Sequence, residues 1–274
     1  MPELPEVEVW VRALRPRLEG RRIEGVTIRR NKLIAAPGVR TFRTRLRGRR
    51  IRRVRRRGKV IWVELDDGAH WLTHLRMTGW WRHHAAPQPP ADRHVLAVFT
   101  LDKGQLHYRD PRRFGRMWWV RDAAPLLAPL GPEPLERAFT AAGLQKRFAR
   151  RRAAVKQVLL DPAVVAGVGN IYASEACFRA RLDPRTPARR LGIEEARRLH
   201  RALRAVLRRA IRLGSTVAPV VDGYAARARF RDEFAVYGRA GDACRTCGAA
   251  IRRVVIGQRS TFYCPRCQEL LQER

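Results

Sequence analysis

Residues 60–75 read Val60-Ile61-Trp62-Val63-Glu64-Leu65, then Asp66-Asp67-Gly68-Ala69, then His70-Trp71-Leu72-Thr73-His74-Leu75. The first and third groups are short and rich in β-branched and aromatic residues, which favours strands. The acidic group between them contains a glycine, which is typical of a tight turn. This stretch therefore predicts two antiparallel strands joined by a hairpin turn.

Further strand-like runs follow the hairpin at residues 95–99 (Val-Leu-Ala-Val-Phe) and 116–120 (Arg-Met-Trp-Trp-Val). These runs succeed one another without intervening helices, so an antiparallel β-sandwich is favoured over a parallel sheet. Residues 5–18 are expected to form a helix before the sandwich, which would hold the start of the chain at the N-terminal end of that helix.

A proline-rich segment from Asp122 to Glu136 separates this half from a second half with a different hydrophobic period. Its prolines are residues 125, 129, 132 and 134, and they predict a linker because proline interrupts regular elements. Beyond it, helical spacing predicts one helix from about Leu144 to Leu160 and another that ends near Gly214. The apolar face of the second helix contains Ile193, Ala196, Leu199, Leu203, Val206, Leu207, Ala210 and Ile211.

A glycine-rich turn, Gly167-Val168-Gly169-Asn170, precedes a further helical segment. Backbone N–H groups at such a helix start can bind phosphate. Asn170 can either cap the helix or donate to a phosphate oxygen. An ordinary tight turn with an asparagine cap explains the pattern equally well, so both interpretations stay open at this point.

The chain carries 58 Lys and Arg residues against 25 Asp and Glu residues, a formal net charge of +33. This excess indicates a polyanionic partner such as nucleic acid, although part of it can reflect a GC-rich genome, and a solvated basic face without a partner remains the alternative. From Arg43 to Lys59, eleven of seventeen residues are basic and none is acidic. Leu46, Ile51 and Val54 interrupt this run, which predicts strands with a basic outer face beside a phosphate backbone.

No run approaches the roughly 18 apolar residues of a membrane span. The first residues include Glu3, Glu6 and Glu8, where a secretory signal peptide has a basic start and an apolar core. We therefore expect no membrane association and a cytoplasmic, nucleoid-associated location.

Four of the five cysteines have the spacing Cys244-x2-Cys247-x16-Cys264-x2-Cys267. Two close pairs separated by this distance predict one structural zinc ion with four thiolate ligands. Two disulfides are the alternative, which a cytosolic chain disfavours. Cys177 is expected to be a buried helix residue.

Together these patterns predict an α+β fold: an N-terminal antiparallel β-sandwich, a C-terminal helical domain and a four-cysteine zinc finger. The predicted boundaries are residues 1–124 for the sandwich domain, 125–137 for the linker, 138–235 for the helical domain and 236–274 for the finger.

The chain begins Met1-Pro2-Glu3. Removal of Met1, which a small second residue permits, would leave Pro2 as a free secondary amine. A free α-amino group has a pKa of about 7.7–8.0, so a substantial fraction is nucleophilic near neutral pH. Glu3 would then be placed to move protons. A simple helix start explains the same residues without any chemistry.

Six motifs occur in order along nearly the whole chain: Pro2-Glu3-Leu4-Pro5-Glu6, Arg56-Arg57-Gly58-Lys59, His74-Leu75-x-Met77-Thr78-Gly79, Asp110-Pro111-Arg112-Arg113-Phe114-Gly115, Gly167 to Glu175, and Gln258-Arg259-x-Thr261-Phe262-Tyr263-Cys264. In these motifs the chain resembles bacterial formamidopyrimidine-DNA glycosylase (Fpg/MutM). The resemblance implies a helix-two-turn-helix motif in the helical domain. It also implies a bifunctional DNA glycosylase and AP lyase of base excision repair that acts on damaged double-stranded DNA, as a monomer with no obligate protein partner.

The resemblance also implies roles for individual residues. Pro2 would attack C1′ of the damaged nucleoside and form a Schiff base that leads to β,δ-elimination, with Glu3 as the proton donor. Glu6 would be a supporting carboxylate, although a helix-capping role fits it equally well. Lys59 is the fourth implied catalytic residue and would bind a backbone phosphate at the lesion. The implied DNA contacts are Asn170 and Arg259 on phosphates, Met77, Arg112 and Phe114 in the gap left by the extruded base, and Lys156 and His74.

Two departures from the family pattern leave the lesion preference open. Arg76 stands where family members usually have glycine, and the loop from Val217 to Phe230 differs from the expected pattern. Formamidopyrimidines, 8-oxoguanine and, as in the endonuclease VIII enzymes, oxidised pyrimidines are all candidates, with oxidised purines favoured by the N-terminal motif and Met77. A catalytically inert damaged-DNA-binding protein and a zinc-ribbon RNA- or ribosome-associated protein are alternatives from other classes.

Overall fold

The structure is a computed structural model that describes residues 1–216, 220–221, 224–225 and 228–271. It divides into two compact units. The first contains Met1–Ala128 and Gly214–Ala228, and the second contains Pro129–Leu213 and Arg229–Arg274. The change of unit after Ala128 falls inside the predicted linker, whereas the four-part domain division stays a prediction.

Helix α1 (Leu4–Leu18) opens the first unit, which also contains α2 (Val39–Leu46) and α3 (Ala124–Leu127). The predicted helix at residues 5–18 is thus confirmed. The short α3 overlaps the start of the predicted linker, with Pro125 in its first turn, where proline is compatible with a helix. The strands of this unit are β1 (Ile23–Ile28), β2 (Ile34–Ala36), β3 (Ile51–Arg57), β4 (Val60–Leu65), β5 (His70–His74), β6 (Trp80–His84), β7 (Val95–Leu101), β8 (Gln105–Arg109), β9 (Arg116–Val120), β10 (Val220–Val221) and β11 (Tyr224–Ala225).

These strands form two sheets, with the orders β2-β9-β5-β4-β3 and β1-β7-β8-β6-β10-β11. Neighbouring strands are antiparallel except for the pairs β2–β9 and β6–β10. Strands β4 and β5 pair antiparallel across the predicted turn, with Val63 opposite Trp71. The indole of Trp71 stacks on Phe99 of the other sheet at 4.3 Å, so aromatic side chains of both sheets share one core. The predicted antiparallel β-sandwich is therefore confirmed, with two parallel pairings that the sequence did not indicate.

The basic run from Arg43 to Lys59 only partly follows its prediction. Its first residues complete α2, and the strand β3 begins only at Ile51. Leu46, Ile51 and Val54 are all fully buried in the core. The apolar interruptions therefore fix which face of this segment is buried, but not the change from helix to strand within it.

The second unit contains α4 (Ala141–Phe148), α5 (Val155–Leu159), α6 (Asn170–Arg179), α7 (Ile193–Arg212), β12 (Arg252–Ile256) and β13 (Arg259–Tyr263). Helix α7 confirms the predicted amphipathic helix and is followed by Gly214 in the left-handed region at φ +76°. Ile193, which the helical period assigned to the apolar face, is exposed because it lies in the first turn. No helix in the described ranges is both long and apolar enough to cross a membrane.

The single helix predicted from Leu144 to Leu160 is wrong, because α4 and α5 are separate. The backbone between them bonds to a distant segment instead of continuing a helix. The carbonyl of Ala153 accepts from the N–H of Ala188, and the carbonyl of Arg151 accepts from the N–H of Arg189, each at 2.9 Å. Helical periodicity does not reveal such long-range backbone pairing.

Residues 214–228 interrupt the second unit in the sequence, and the residues on either side of this segment, Leu213 and Arg229, are neighbours in the structure. The N–H of Arg229 donates to the carbonyl of Leu213 at 3.0 Å, which joins the two ends of the segment. Within the first unit, β10 pairs in parallel with β6. This pairing makes the segment part of the first unit.

Candidate functional site

The start of α1 holds two buried carboxylates in a reciprocal arrangement. The side chains of Glu3 and Glu6 are 2% and 1% exposed, and Pro2 is buried beside them. Glu3 and Glu6 form a capping box, in which the N–H of Glu3 donates to Oε2 of Glu6 at 2.8 Å. The predicted nucleophile and proton donor are therefore attached to a fixed helix start.

The second oxygen of Glu6 is bound by Thr216. Oε1 accepts from the backbone N–H of Thr216 at 3.2 Å and from its hydroxyl at 2.7 Å. Both carboxylate oxygens of Glu6 thus have donors, and they join the start of α1 to the segment that begins at Gly214. This arrangement favours a positioning role for Glu6, and its two proposed roles, capping and support, are both compatible with it.

Lys59 and His74 lie at the same end of the strands of the five-stranded sheet. Lys59 is in the turn between β3 and β4, where Gly58 adopts φ +56°, and the next residue, Val60, pairs with His74 of β5. Burial, together with the positive charges of Arg76 and Lys59, lowers the pKa of His74 to about 4. Nδ1 of His74 accepts from the backbone N–H of Arg76 at 3.0 Å, so a neutral imidazole would carry its hydrogen on Nε2.

Arg76 has φ +56°, in the left-handed region that favours glycine. This backbone conformation explains why glycine suits the position and identifies a source of local strain in this chain.

Replacement of Arg76 by glycine should raise the free energy of unfolding by about 1 kcal/mol relative to replacement by alanine, because only glycine removes the steric cost of a Cβ at positive φ. Both substitutions remove the same charge beside His74, so both should raise the pKa of His74 from about 4. Urea denaturation and NMR titration of the imidazole measure the two effects. Equal stabilities of Arg76→Gly and Arg76→Ala would contradict the strain argument.

The residues predicted to fill the gap in DNA lie on two loops of the first unit. The 76–79 loop follows β5 and contains the half-buried Met77. The 110–115 loop follows β8 and contains Arg112, whose guanidinium lies 4.9 Å above the ring of Phe114. Phe114 is 48% exposed, which is unusual for a large apolar side chain and argues against a core role.

A buried carboxylate joins these two loops. Asp110 is 0% exposed, and its Oδ1 accepts from the hydroxyl of Thr78 at 2.5 Å. Its Oδ2 accepts from the N–H of Gly115 at 2.7 Å. The structure therefore brings the Met77 loop and the Arg112–Phe114 loop together through residues that had no role in the sequence prediction.

In the second unit, Asn170, Lys156 and the hairpin of β12 and β13 meet at one carbonyl group. The carbonyl of Ser260 accepts from Nδ2 of Asn170 at 2.9 Å and from Nζ of Lys156 at 3.0 Å. Lys156 is 0% exposed and also donates to Oγ1 of Thr261 at 2.7 Å. Arg259, next to Ser260, is exposed at the start of β13.

The DNA contact of Lys156 stays a prediction, while the geometry places this side chain, without exposed surface, against the hairpin. A cation without exposed surface that binds the hairpin backbone favours an indirect role, in which Lys156 holds the strand that carries Arg259. Sequence reasoning had no signal for this difference, because burial of a lysine is not visible in a basic chain.

The four predicted metal ligands converge in the same unit. The sulfur atoms of Cys244, Cys247, Cys264 and Cys267 all lie within 4.8 Å of one another, and none is in a disulfide. Four thiolates bound tetrahedrally at about 2.3 Å lie about 3.8 Å apart. The pairs Cys244–Cys267 and Cys247–Cys264, at 3.9 and 3.4 Å, are close to this spacing, so the cluster fits a structural metal ion.

Sequence reasoning missed Thr78, Asp110, Thr216 and Ser260. Thr78 and Asp110 lie inside recognised motifs, but a threonine in a turn and an aspartate before proline are common loop residues. Half of the loop predicted to affect lesion choice, namely residues 217–219, 222–223 and 226–227, lies outside the described residues, so its effect on lesion choice stays a prediction.

Family models match most of the chain. The model described as the formamidopyrimidine-DNA glycosylase N-terminal domain matches residues 1–117, and the one for the H2TH domain of the same proteins matches residues 130–221. A zinc finger found in FPG and IleRS matches residues 241–270.

Full-length relatives agree with these matches. The formamidopyrimidine-DNA glycosylase of Burkholderia thailandensis is 46% identical over 277 residues, covering 98% of this chain and 100% of the relative. The crystal structure of the MutM (Fpg) protein from Thermus thermophilus is 42% identical, with a TM-score of 0.86 and coverage of 99% and 100%.

Fpg of Lactococcus lactis has been solved with Fapy-dG-containing DNA, as a mutant, and with DNA containing an oxidised pyrimidine, as the wild type. Both structures are 30% identical to this chain and cover 98% of it and 100% of their own chain, with TM-scores of 0.91 and 0.90.

Proposed function

This chain belongs to the formamidopyrimidine-DNA glycosylase family, and from that premise we propose that it is a bifunctional DNA glycosylase and AP lyase that removes oxidised purines from double-stranded DNA in base excision repair. The observation that carries this proposal is the buried Pro2-Glu3 pair at the start of α1, held by Glu6 and Thr216. A damaged base must leave the duplex before its glycosidic carbon can be reached.

In the proposed reaction, Met1 has been removed and the secondary amine of Pro2 attacks C1′ of the damaged nucleoside. The bond from C1′ to the base breaks, and the base leaves with its electron pair. The attacking amine loses its proton to the departing base. The bond from C1′ to the ring oxygen then breaks, its electron pair stays on the oxygen, which takes a proton from Glu3, and a positively charged imine forms between Pro2 and C1′. The Glu3–Glu6 capping box supports this assignment because it fixes the backbone from which both reacting groups project.

The imine then drives cleavage of the strand. It acidifies C2′, so loss of a proton there expels the 3′ phosphate by β-elimination. A second, δ-elimination expels the 5′ phosphate. Both steps break carbon–oxygen bonds, which separates this chemistry from hydrolysis of the phosphodiester.

Phosphate binding is assigned to Lys59, His74, Asn170 and Arg259. Lys59 and Arg259 would contribute positive charge, and Nε2–H of the neutral His74 would donate a hydrogen bond. Asn170 has its amide at the start of α6, where backbone N–H groups also favour a phosphate. With this basic composition, affinity for DNA should fall steeply as salt rises.

Met77, Arg112 and Phe114 are assigned to the space left by the extruded base. The exposure of Phe114 and its stacking under Arg112 support this role. Arg112 is further proposed to bind the base opposite the lesion and to favour cytosine there.

The four-cysteine cluster is proposed to hold one zinc ion. All four positions are occupied by protein sulfurs, so zinc would stabilise the fold of the finger and leave no position for a substrate. We expect the protein to act as a monomer, without an obligate protein partner, in the cytoplasm at the nucleoid.

Borohydride trapping tests the function, because reduction converts the imine into a permanent link between protein and DNA. Duplexes carrying 8-oxoguanine, a formamidopyrimidine, an oxidised pyrimidine or no lesion should be compared under identical conditions. We expect an adduct on the two oxidised purines, with the link at Pro2, and none on intact DNA. Preferential trapping on the oxidised pyrimidine, a lesion class also present in a Lactococcus lactis Fpg complex, would instead assign an endonuclease VIII-like preference.

Tight binding to damaged duplexes without any adduct, from protein with Met1 removed, would contradict the enzymatic proposal. It would favour the inert damage-binding alternative. Stronger binding to structured RNA than to damaged duplex would favour the zinc-ribbon RNA-binding alternative.

A further inference from the structure

We propose that Thr78 and Asp110 are positioning residues that make the two loops carrying Met77, Arg112 and Phe114 enter DNA as one unit. This inference rests on the proposed function and deepens it, because it names the groups that would couple the residues filling the gap. We call the contact between the hydroxyl of Thr78 and the carboxylate of Asp110 the Thr78–Asp110 bridge.

Both oxygens of the Asp110 carboxylate accept hydrogen bonds from donors in the two loops. Asp110 has no exposed surface, its Oδ1 accepts from Thr78, and its Oδ2 accepts from the N–H of Gly115. Its own carbonyl accepts from the N–H of Arg113 at 3.1 Å. Asp110 therefore holds the far end of its own loop and the neighbouring loop at the same time.

The hydroxyl of Thr78 makes a second link. While it donates to Asp110, it accepts from the backbone N–H of Arg112 at 3.2 Å. Thr78 also directly follows Met77. One hydroxyl group thus connects the neighbour of one gap-filling residue to the backbone of another.

Both loops also contact the side chain of Tyr108, which supports the conclusion that they are held together. Gly79 and Gly115 close the two loops, and each lies against the phenol oxygen of the buried Tyr108. A Cβ atom would lie 2.1 Å from this oxygen at Gly79 and 1.8 Å at Gly115. Neither position accommodates a side chain, so both loops are held close to the same tyrosine.

The consequence concerns the moment when the base leaves the stack. Insertion of side chains into the duplex must offset the stacking that is lost when the base is extruded. If the loops moved separately, Met77 could enter without Arg112 bound to the opposite base. The Thr78–Asp110 bridge makes these two events simultaneous, so it should govern both the rate of base extrusion and the preference for the opposite base.

Thr78→Val tests the proposal, because valine keeps the shape of threonine and lacks the hydroxyl. Fluorescence of 2-aminopurine beside the lesion reports unstacking, and single-turnover excision opposite cytosine and adenine reports the opposite-base preference. We expect about tenfold slower unstacking and a reduced cytosine preference, since a hydrogen bond to a charged group is lost. Asp110→Asn should act in the same direction, and Thr78→Ser, which keeps the hydroxyl, should restore both values to within about twofold of the parent.

Thr27→Val is the matched control, because it makes the same chemical change at an exposed strand position outside both loops. Thermal unfolding of each variant shows that the sandwich is intact. Parent-like unstacking and opposite-base preference in Thr78→Val would overturn the proposal, as would equal defects in Thr78→Ser and Thr78→Val. Failure of the proposed function is a separate result, because the parent protein itself would then excise no base and form no borohydride adduct.

Discussion

Glu3→Gln should lower the rate of base excision by about 10²–10⁴-fold, the range that a positioned general acid contributes. Glutamine has nearly the same shape but has no proton to donate to the ring oxygen as the sugar opens. The helix start should persist, because one bond of the capping box uses the backbone N–H of residue 3 and the other needs only a side-chain oxygen at residue 3 as acceptor, which glutamine retains. Single-turnover excision from a duplex carrying a formamidopyrimidine measures the effect.

Glu8→Gln is a suitable control on the same helix, because Glu8 has no role in the proposed chemistry. Burial alone would raise the pKa of Glu8, but its ion pairs with Arg12 and Arg56 outweigh burial and lower that pKa. Loss of this carboxylate should change stability slightly and leave excision close to the parent rate. Excision by Glu3→Gln at the rate of the Glu8 variant would rule out the proposed proton transfer.

Loss of the bound metal should unfold the finger and abolish tight DNA binding. Structural zinc contributes about 10–16 kcal/mol to small finger peptides, so a module of this size depends on it for folding. Cys264→Ser removes a fully buried ligand whose sulfur also accepts from the N–H of Cys267. The hairpin carrying Arg259, and the contacts of Lys156 and Asn170 with Ser260, should be lost together.

Metal content, thermal unfolding and DNA affinity should be measured on Cys264→Ser and on chelator-treated parent protein. Cys177→Ala is the control, because this buried cysteine of α6 lies outside the cluster. It should retain one metal ion per chain even if the cavity lowers stability. Full DNA affinity in a metal-free protein would contradict the prediction.

Local sequence patterns were sufficient to predict an element and its buried face where these depend on residues close together in the sequence. The alternation in β4 places Ile61, Val63 and Leu65 in the core, and the period of α7 identifies nearly all of its buried face. The cysteine spacing was sufficient for the cluster because four sulfurs on two short loops have few other ways to meet. The strand and helix predictions depend on neighbours within a few residues, and the cluster depends on cysteines at most 23 residues apart.

The features that the sequence did not predict depend on hydrogen bonds between residues far apart in the sequence. Residues 149–154 look helical but pair with the backbone near residue 188. Lys156 looks like one more surface cation but is buried against Ser260, which is 104 residues away. The Thr78–Asp110 bridge spans 32 residues and the Glu6–Thr216 contact spans 210. No spacing rule identifies such contacts, because they exist only once the tertiary fold has formed.

Residues 214–228 belong to the first unit although they follow residues of the second unit in the sequence, and this affects how fragments and chimeras of the protein should be designed. A fragment ending at Ala128 would lack Thr216, one of the partners of Glu6, and the strand β10 that pairs with β6. In a chimera of two relatives, residues 1–128 and 214–228 should therefore be exchanged together, from the same parent. The bond between Leu213 and Arg229 marks natural junctions for such a graft, because the two ends already meet there.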